Sequence, residues 1–296
     1  MHHPGTLIRD MLARGGAVPV PGCYDPLGAL LIEQAGFQAA YMTGFSLASS
    51  YGKPDIGLLT MTDMVQQAAR IAEAVSIPVI VDADTGYGGA ANIAETVRAF
   101  EKAGIAGLHL EDQIMPKKCG AMAGKKLVPS EEMALRLRAA RAGRKSSEFV
   151  IIGRTDAMTI YGLDEVIART KAMERAGADA VMVPSLSTPA ELDAVASSVR
   201  IPVIYVAAET VRPSYTQQQL TQAGFAMALY PLSLIQTTFK AQQTMLRSMF
   251  DAGDTAHLID GMAKFADVGR LVGVERAAAF DAQLNEPEAP TESTGS

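Results

Sequence analysis

Apolar runs of strand length alternate with stretches of helical periodicity along most of this 296-residue chain. Residues 6–14 predict a short helix closed by Gly15 and Gly16, and 18–23 a first strand. Asp25-Pro26 then opens a helix that runs through Gln34 and stops at Gly36. Residues 38–43 form a second strand, followed by a Gly/Ser-rich segment to Asp55 that reads as a polar, functional loop. Helix 62–75 and strand 78–81 come next. The unit then recurs: helix 92–102 and strand 107–110, helix 130–142 and strand 149–153, helix 164–175 and strand 180–183. Two more repeats complete it, helix 188–198 with strand 203–206 and helix 216–223 with strand 226–230. Eight strands separated mostly by helices predict an α/β chain closed into a (β/α)8 TIM barrel; a doubly wound open sheet is the alternative that the same count allows.

Beyond residue 230 the periodicity predicts a long helix over 233–247 and further helices over 255–264 and 265–280, more than a closed barrel needs. The surplus either packs across a subunit interface or adds a helix to the same barrel. Residues 1–284 thus read as one barrel domain. Residues 285–296, rich in Glu, Pro, Ser, Thr and Gly, read as a disordered tail.

Charge and cysteine content narrow the partners. With 26 Lys and Arg against 32 Asp and Glu, the chain carries −6 and lacks the basic footprint of a nucleic-acid binder. No stretch reaches membrane-spanning length without charges, and the first twenty or so positions lack the apolar core of a secretory leader. Cys23 and Cys119 are the only cysteines, which argues against a disulfide framework and for a reducing, cytoplasmic location.

The polar residues that end the predicted strands carry the chemistry. In PVIVDADTGYGG, from Pro78, an apolar strand ends in Asp82 and Asp84 before a glycine-rich turn. Two carboxylates two positions apart share one side of an extended strand, and their crowding calls for a cation or a shared proton. The other reading is that one aspartate caps the next helix while its neighbour is solvated. Glu111 ends the fourth strand, so Asp82, Asp84 and Glu111 form an oxygen-only set suited to Mg2+ or Mn2+ rather than zinc. Arg154 ends the fifth strand, where its guanidinium could grip a substrate carboxylate, stabilise a developing enolate oxygen, or simply pair with one of the acids.

A second candidate follows strand four, in Pro116-Lys117-Lys118-Cys119-Gly120-Ala121-Met122-Ala123-Gly124-Lys125-Lys126. Its small residues suit a mobile lid and its lysines an anionic ligand. Cys119 beside Lys118 could serve as thiolate base or thiol acid, against the plainer reading of an incidental cysteine in a surface lysine patch. His109 alternates with apolar neighbours and reads as a buried, hydrogen-bonded residue. No P-loop or dinucleotide fingerprint is present.

Together these segments resemble the isocitrate lyase and phosphoenolpyruvate mutase superfamily, in particular its 2-methylisocitrate lyase-like and carboxyphosphonoenolpyruvate mutase-like branch. The resemblance lies in YMTGFSLASSYGKPDIGLLT from Tyr41, VDADTGYGG from Val81, GLHLEDQIMPKKCG from Gly107 and GRTDA from Gly153, and more weakly in GADAVMVPS from Gly177 and ALYPLS from Ala228. It implies a barrel whose last helix is exchanged with a neighbouring subunit, in a homotetramer built from dimers. It also implies Mg2+ held by Asp84, with Asp82 and Glu111 acting directly or through water. Thr43, Gly44 and Phe45 would meet the carboxylate of a 2-oxo acid, with Tyr41 and Asp55 nearby. Arg154 would contact the reacting end, and 117–126, from Lys117 onward, would form the gating loop. Cys119 matches the acid/base cysteine of the lyases, and Tyr41 is the candidate base for the substrate hydroxyl.

The same resemblance exposes departures. Cys-Gly-His becomes Cys119-Gly120-Ala121, an acidic residue after the sixth strand becomes Pro184, an asparagine after the seventh becomes Val206, and Gly89 replaces another asparagine, while Glu209 is kept and Arg212 could compensate from the same loop. The lost groups orient the far end of a di- or tricarboxylate, so a less polar distal group is expected. The expectation is a Mg2+-dependent C–C lyase acting on a small 2-hydroxy or 2-oxo carboxylic acid through a pyruvate-like enolate. An oxaloacetate-type decarboxylase, a phosphonate P–C bond mutase or hydrolase, and a catalytically silent metabolite-binding barrel are the alternatives.

Overall fold

Eight parallel strands close on themselves in chain order in the computed structural model, which describes residues 3–207, 209 and 214–284. They are β1 (Val18–Cys23), β2 (Ala40–Met42), β3 (Val79–Asp82), β4 (Gly107–Glu111), β5 (Val150–Arg154), β6 (Ala180–Pro184), β7 (Val203–Val206) and β8 (Met227–Tyr230). The ring is completed by β1 pairing with β8 through Val18↔Met227 and Pro21↔Tyr230. A closed ring leaves no unpaired edge, and the open-sheet alternative is excluded.

Strand alternation divides the apolar residues into two sets. Val18, Val20, Tyr41, Ile80, Val150, Ile152, Ala180, Met182, Ile204, Met227 and Leu229 form the barrel interior, joined at one end by Ile8, Met11 and Leu12 of the N-terminal helix Pro4–Arg14. That helix is tied to the start of β5 by Arg9, which donates to the carbonyls of Glu148 and Phe149. The intervening strand residues, such as Val79, Val81, Leu108, Ile151, Val181 and Val203, pack outward against the surrounding helices. One mouth is therefore plugged by apolar side chains, and polar chemistry is left to the other.

Short-range signals set the helix starts. Thr60 and Asp63 form a capping box for Met61–Ala74, Thr188 and Glu191 for Pro189–Ser198, and Thr216 and Gln219 for Gln217–Gln222. Asp25 caps Pro26–Gln34 through a 2.6 Å bond from the Gly28 amide. Two expectations are corrected. The Gly/Ser-rich stretch after β2 is not a loop throughout: Gly44–Ser50 is a helix, because small residues pack closely there and Leu47 and Ala48 are buried. The continuous helix expected over 265–280 is two, Phe265–Leu271 and Val274–Leu284, separated at Gly273 with φ of +85°.

The chain divides into two compact units, Met1–Ala241 with the barrel and Gln242–Ser296. In the second, the part of the helix Ser233–Ala252 from Gln242 onward is followed by a 3-10 turn, Ala256–Gly261, and the two short helices. No described helix is long and apolar enough to cross a membrane. The expected tail, 285–296, lies outside the described residues.

Candidate active site

Three adjacent strands deliver the polar residues to the carboxyl end of the barrel, where barrel active sites are built. Period-two alternation that puts Ile80 inward also puts Asp82 inward, and likewise carries His109 to Glu111 and Ile152 to Arg154. Register finishes the placement: Asp82 lies opposite His109, and Glu111 opposite Arg154. Asp84 sits just beyond β3 in a left-handed turn, φ +48°, which aspartate tolerates better than most side chains. Its carbonyl accepts from the Glu111 amide at 2.9 Å, so the two strand ends are tied together.

The charges are buried and paired. Lys117 Nζ lies 2.5 Å from Asp55 Oδ1 and 2.7 Å from Asp84 Oδ1. Arg154 lies 3.3 Å from Glu111 Oε2 and 3.1 Å from Asp156 Oδ1. Asp82 accepts from the Asp84 amide at 3.0 Å and the Gly44 amide at 3.3 Å. A side chain at Gly44 would strike Asp82, its Cβ falling 2.7 Å from Oδ2, so the approach of that amide requires glycine.

Burial raises the Asp84 carboxyl to about 6, with Asp82 adding to the rise and Lys117 opposing it. Burial also pushes Asp82 upward, but His109, protonated in the acid range, together with Lys117 and Arg154 draws it down to about 2. Glu111 is raised well above the ordinary range by burial, with Arg154 opposing. Burial disfavours the Lys117 ammonium, yet Asp84, Asp82, Glu111 and Asp55 outweigh it and hold the group charged far above its ordinary range.

Among the described residues, no group of three His, Cys, Asp or Glu side chains converges as a ready-made metal shell. Asp82 and Glu111 line one cavity while Asp84 lines a small neighbouring one with Asp55 and Gly44, and the positive charges beside them come from Lys117 and Arg154 instead. The donor chemistry nevertheless fits a hard divalent cation. All candidate ligands are carboxylate oxygens, Glu111 Oε1 is buried without a hydrogen-bond partner, and Asp84 Oδ1 is met only by the Lys117 ammonium, without a directed hydrogen bond.

Tyr41 Oη lies 2.7 Å from His109 Nε2 inside the barrel, both fully buried side chains. Burial, reinforced by Asp82, keeps the phenol protonated well beyond its usual range, while burial lowers the imidazole to about 4 despite Asp82. Thr43 and Phe45 line the same space.

Residues 117–126 fold over this floor. The Cys119 amide donates to the Asp55 carbonyl at 3.0 Å, and Lys125 Nζ donates to the Gly120 carbonyl. A Cβ at Gly120 would come within 2.6 Å of Arg154 Nη2, so any side chain there would displace the guanidinium. Burial raises the Cys119 thiol above its ordinary 9.0. Of its two sequence-based roles, thiol acid is the one this environment favours.

Glu209 and Arg212 fare differently from the rest. Glu209 Oε1 accepts from the amides of Leu232 and Ser233 and from the Ser233 hydroxyl, at 2.7–2.8 Å, and so holds the start of Ser233–Ala252. Arg212 lies outside the described residues.

Several participants escaped the sequence reading. Asp156 pairs with Arg154, accepts from Gln113 at 3.0 Å, and lies 3.8 Å from Lys125. Gln113 in turn bonds both the amide and the carbonyl of Lys118 at 2.9 Å, fastening the lid base. Asp112 accepts from Thr155 Oγ1 and the Asp156 amide, and pairs with Arg169 at 3.0 Å. The available signal was spacing: Asp156 follows Arg154 by two positions.

The floor and lid enclose a cavity of about 840 Å³. Tyr41, Asp55, Asp82, Glu111, Lys117 and Arg154 line one side of it; Met182, Pro184, Leu186 and Val206, interleaved with the hydroxyls of Thr159, Ser185, Ser187 and Tyr205, line the other.

A closed parallel barrel with a carboxylate floor, a buried arginine and a cysteine-bearing lid at its carboxyl end defines an enzyme that handles small anionic, oxygen-rich substrates. The chain belongs to the phosphoenolpyruvate phosphomutase family, whose pattern matches residues 8–250, and with it to the isocitrate lyase/PEP mutase superfamily. It is similar to 2,3-dimethylmalate lyase of Eubacterium barkeri, 39% identical over 271 residues that cover 91% of this chain and 94% of that one. Among solved structures it resembles oxaloacetate acetylhydrolase in complex with the inhibitor 3,3-difluorooxalacetate, with TM-score 0.90, 30% identity and coverage of 97% and 99% of the two chains. It also resembles phosphonopyruvate hydrolase in complex with oxalate and Mg2+, with TM-score 0.88, 30% identity and coverage of 95% and 99%.

Proposed function

We propose that this chain is a Mg2+-dependent carbon–carbon lyase that cleaves a small 2-hydroxy carboxylic acid to a 2-oxo acid and a second carboxylic acid. The observation that carries this reading is the Cys119 thiol on the lid, lining one cavity with Arg154 and the carboxylate floor. Similarity to 2,3-dimethylmalate lyase supports it.

Asp84, with Asp82 and Glu111 directly or through water, would hold the metal. When bound, the metal supplies Lewis-acid polarisation of the substrate's carboxylate and 2-oxygen. Thr43, Gly44 and Phe45 position that end of the substrate. Tyr41 is a phenol at neutral pH, so it accepts the hydroxyl proton only in step with passing its own to His109 Nε2. Arg154 holds the carboxylate next to the carbon that gains the electron pair. Cys119 then delivers its Sγ proton to that carbon. Lys117 balances the carboxylates and ties the lid to Asp55, which keeps water from the carbanion.

A reducing, cytoplasmic setting is supported by two free thiols, Cys23 and Cys119. A homotetramer built from helix-swapped dimers is supported by the exposed apolar side chains of the C-terminal unit. Phe250, Phe265, Phe280 and Leu284 are each 61–93% exposed, more than a solvated helix would carry without a covering copy. Size-exclusion chromatography with light scattering tests this, and a monomer would refute it.

The activity is tested by incubating the purified chain with Mg2+ and 2,3-dimethylmalate. Equal amounts of pyruvate and propionate are expected. Absence of any 2-oxo acid from malates, citramalates and 2-methylisocitrate alike would overturn the lyase reading, and inorganic phosphate released from phosphonopyruvate would favour P–C chemistry.

A further inference from the structure

One buried carboxylate joins the lid to the arginine beneath it. Asp156, two positions past the end of β5, is 2% exposed and has no part in the bond-breaking steps above. Three side chains nevertheless converge on it. Its Oδ1 lies 3.1 Å from Arg154 Nη2 and 3.8 Å from Lys125 Nζ, and its Oδ2 accepts from Gln113 Nε2 at 3.0 Å. Lys125 and Gln113 each hold a different part of the lid: Lys125 Nζ donates to the Gly120 carbonyl, while Gln113 bonds both the amide and the carbonyl of Lys118 at 2.9 Å. The backbone under the carboxylate is fixed from behind. The Asp156 amide donates to Asp112 Oδ1 at 3.0 Å, and Asp112 Oδ2 is held by Thr155 Oγ1 at 2.6 Å and by Arg169 at 3.0 Å.

The two ends of the lid are stitched to each other. Gln113 pairs with Leu127 in an isolated antiparallel bridge, the Ile114 amide donates to the Lys126 carbonyl, and the Val128 amide to the Asp112 carbonyl, both at 2.8 Å. Opening is thereby confined to the span 115–125, whose polar ties to the barrel form two sets among the described residues. Lys117 and the Cys119 amide make the first, on Asp55 and Asp84. Lys118 and Gly120 make the second, through Gln113 and Lys125 on Asp156. Arg154 belongs to that second set: Glu111 holds its Nη1 at 3.3 Å, Asp156 holds its Nη2, and its Nε is buried without a partner. Of the two carboxylates that orient the guanidinium, only Asp156 also holds the lid. Burial disfavours the charged form of Asp156, but Arg154, Lys125 and the Gln113 bond outweigh it and hold the carboxyl below its ordinary range, so the group is an anion at neutral pH.

We propose that Asp156 is a positioning residue that makes closure of the lid and orientation of Arg154 a single event, with Gln113 and Lys125 as its arms on the lid. The kinetic part of this inference rests on the lyase reading. When 115–125 lifts, Lys125 and Gly120 withdraw together, and water reaches both Asp156 and the guanidinium. When it shuts, Arg154 is clamped between Glu111 and Asp156 under Gly120. The arginine is then held in its working orientation only in the site from which water is excluded.

The lid supplies its own reporter, since Lys117, Lys118, Lys125 and Lys126 are tryptic sites and cleavage there reads the population of the open form. The experiment compares limited trypsin digestion, thermal unfolding and lyase kinetics of the wild type, Asp156→Asn, Gln113→Leu and the double variant. Asp156→Asn keeps the shape and removes the charge; nicking within 117–126 should quicken at least about tenfold, with the thermal midpoint within about 3 °C of wild type. On 2,3-dimethylmalate with Mg2+ its kcat should fall about thirtyfold or more while KM changes less than about threefold, because the shut form still predominates. Gln113→Leu should also quicken nicking, and the double variant should nick at most about twice as fast as Asp156→Asn, since both release one latch. Unchanged nicking in Asp156→Asn, or effects that multiply in the double variant, overturns the latch. Faster nicking with kcat at the wild-type value overturns the coupling to Arg154. Cleavage spread over the whole barrel, with a midpoint lowered by about 10 °C or more, shows a merely structural aspartate and overturns the proposal too. If the wild type releases no 2-oxo acid, the lyase reading falls and the tryptic rates still decide the latch.

Discussion

The two sides of the barrel mouth are built on opposite principles. From β2 to β5, every inward polar group is bound to another: Tyr41 to His109, Asp84 to Lys117, Glu111 to Arg154, Arg154 to Asp156. From β6 to β8 the inward positions Met182, Pro184, Val206 and Leu229 carry no charge at all. A coupled polar network has few tolerated substitutions, because removing one member strands the others in a low dielectric. An apolar wall can change one methyl group at a time. Under the proposed function, reaction chemistry falls to the first side and choice of substrate to the second.

The sharpest break in that contrast is expected from Asp84→Ala, which removes a carboxylate from the floor and leaves Lys117 with only Asp55 at close range. Turnover should fall by about 10³-fold or more, measured as 2-oxo acid release. A variant with a tenth of wild-type activity would refute the assignment.

Cys119→Ser should cost about 10²–10⁴-fold in cleavage while oxalate affinity changes by less than about threefold. The wild-type pH profile carries the same information. With Cys119 as the proton donor of the proposed mechanism and its pKa raised by burial, the donor is intact below that pKa, and activity should be lost only as pH climbs beyond the thiol's ordinary 9.0. Loss of activity between neutrality and 9, absent in the serine variant, would contradict this.

Lys117→Met sharpens the electrostatic account. With the ammonium gone from its place 2.7 Å from Asp84 Oδ1, a divalent cation meets no competitor, and Mn2+ binding followed by electron paramagnetic resonance should tighten about tenfold. Weaker binding would show that the lysine supports the metal site. The smallest effect is expected on the apolar side: Thr188→Ala removes the cap of Pro189–Ser198 and should cost about 1 kcal/mol in denaturant unfolding, with kcat unchanged.

Much of this was legible in the residues. Apolar runs ending in Asp82, Glu111 and Arg154 marked the strands and the end of the barrel where their polar residues gather, and Lys117 to Lys126 marked the segment that lies beside them. The small-residue segment 44–50 misled, since its helix is held by tertiary burial of Leu47 and Ala48 rather than by local propensity. Glu209 was expected near the ligand; the three donors to its Oε1 come from Leu232 and Ser233, more than twenty positions away, and nothing local announces them.

The amino-acid order by itself determined the repeating βα units, the helix caps and which residues share a strand face, because these follow from periods of two and 3.6 and from contacts a few positions long. Only the tertiary structure decided that Lys117 lies between Asp55 and Asp84, that Tyr41 meets His109, and that the charged and uncharged sides line one cavity. Those relations arise when the sheet closes and its register brings distant strand ends together, and burial then gives each charge the partners that set its protonation.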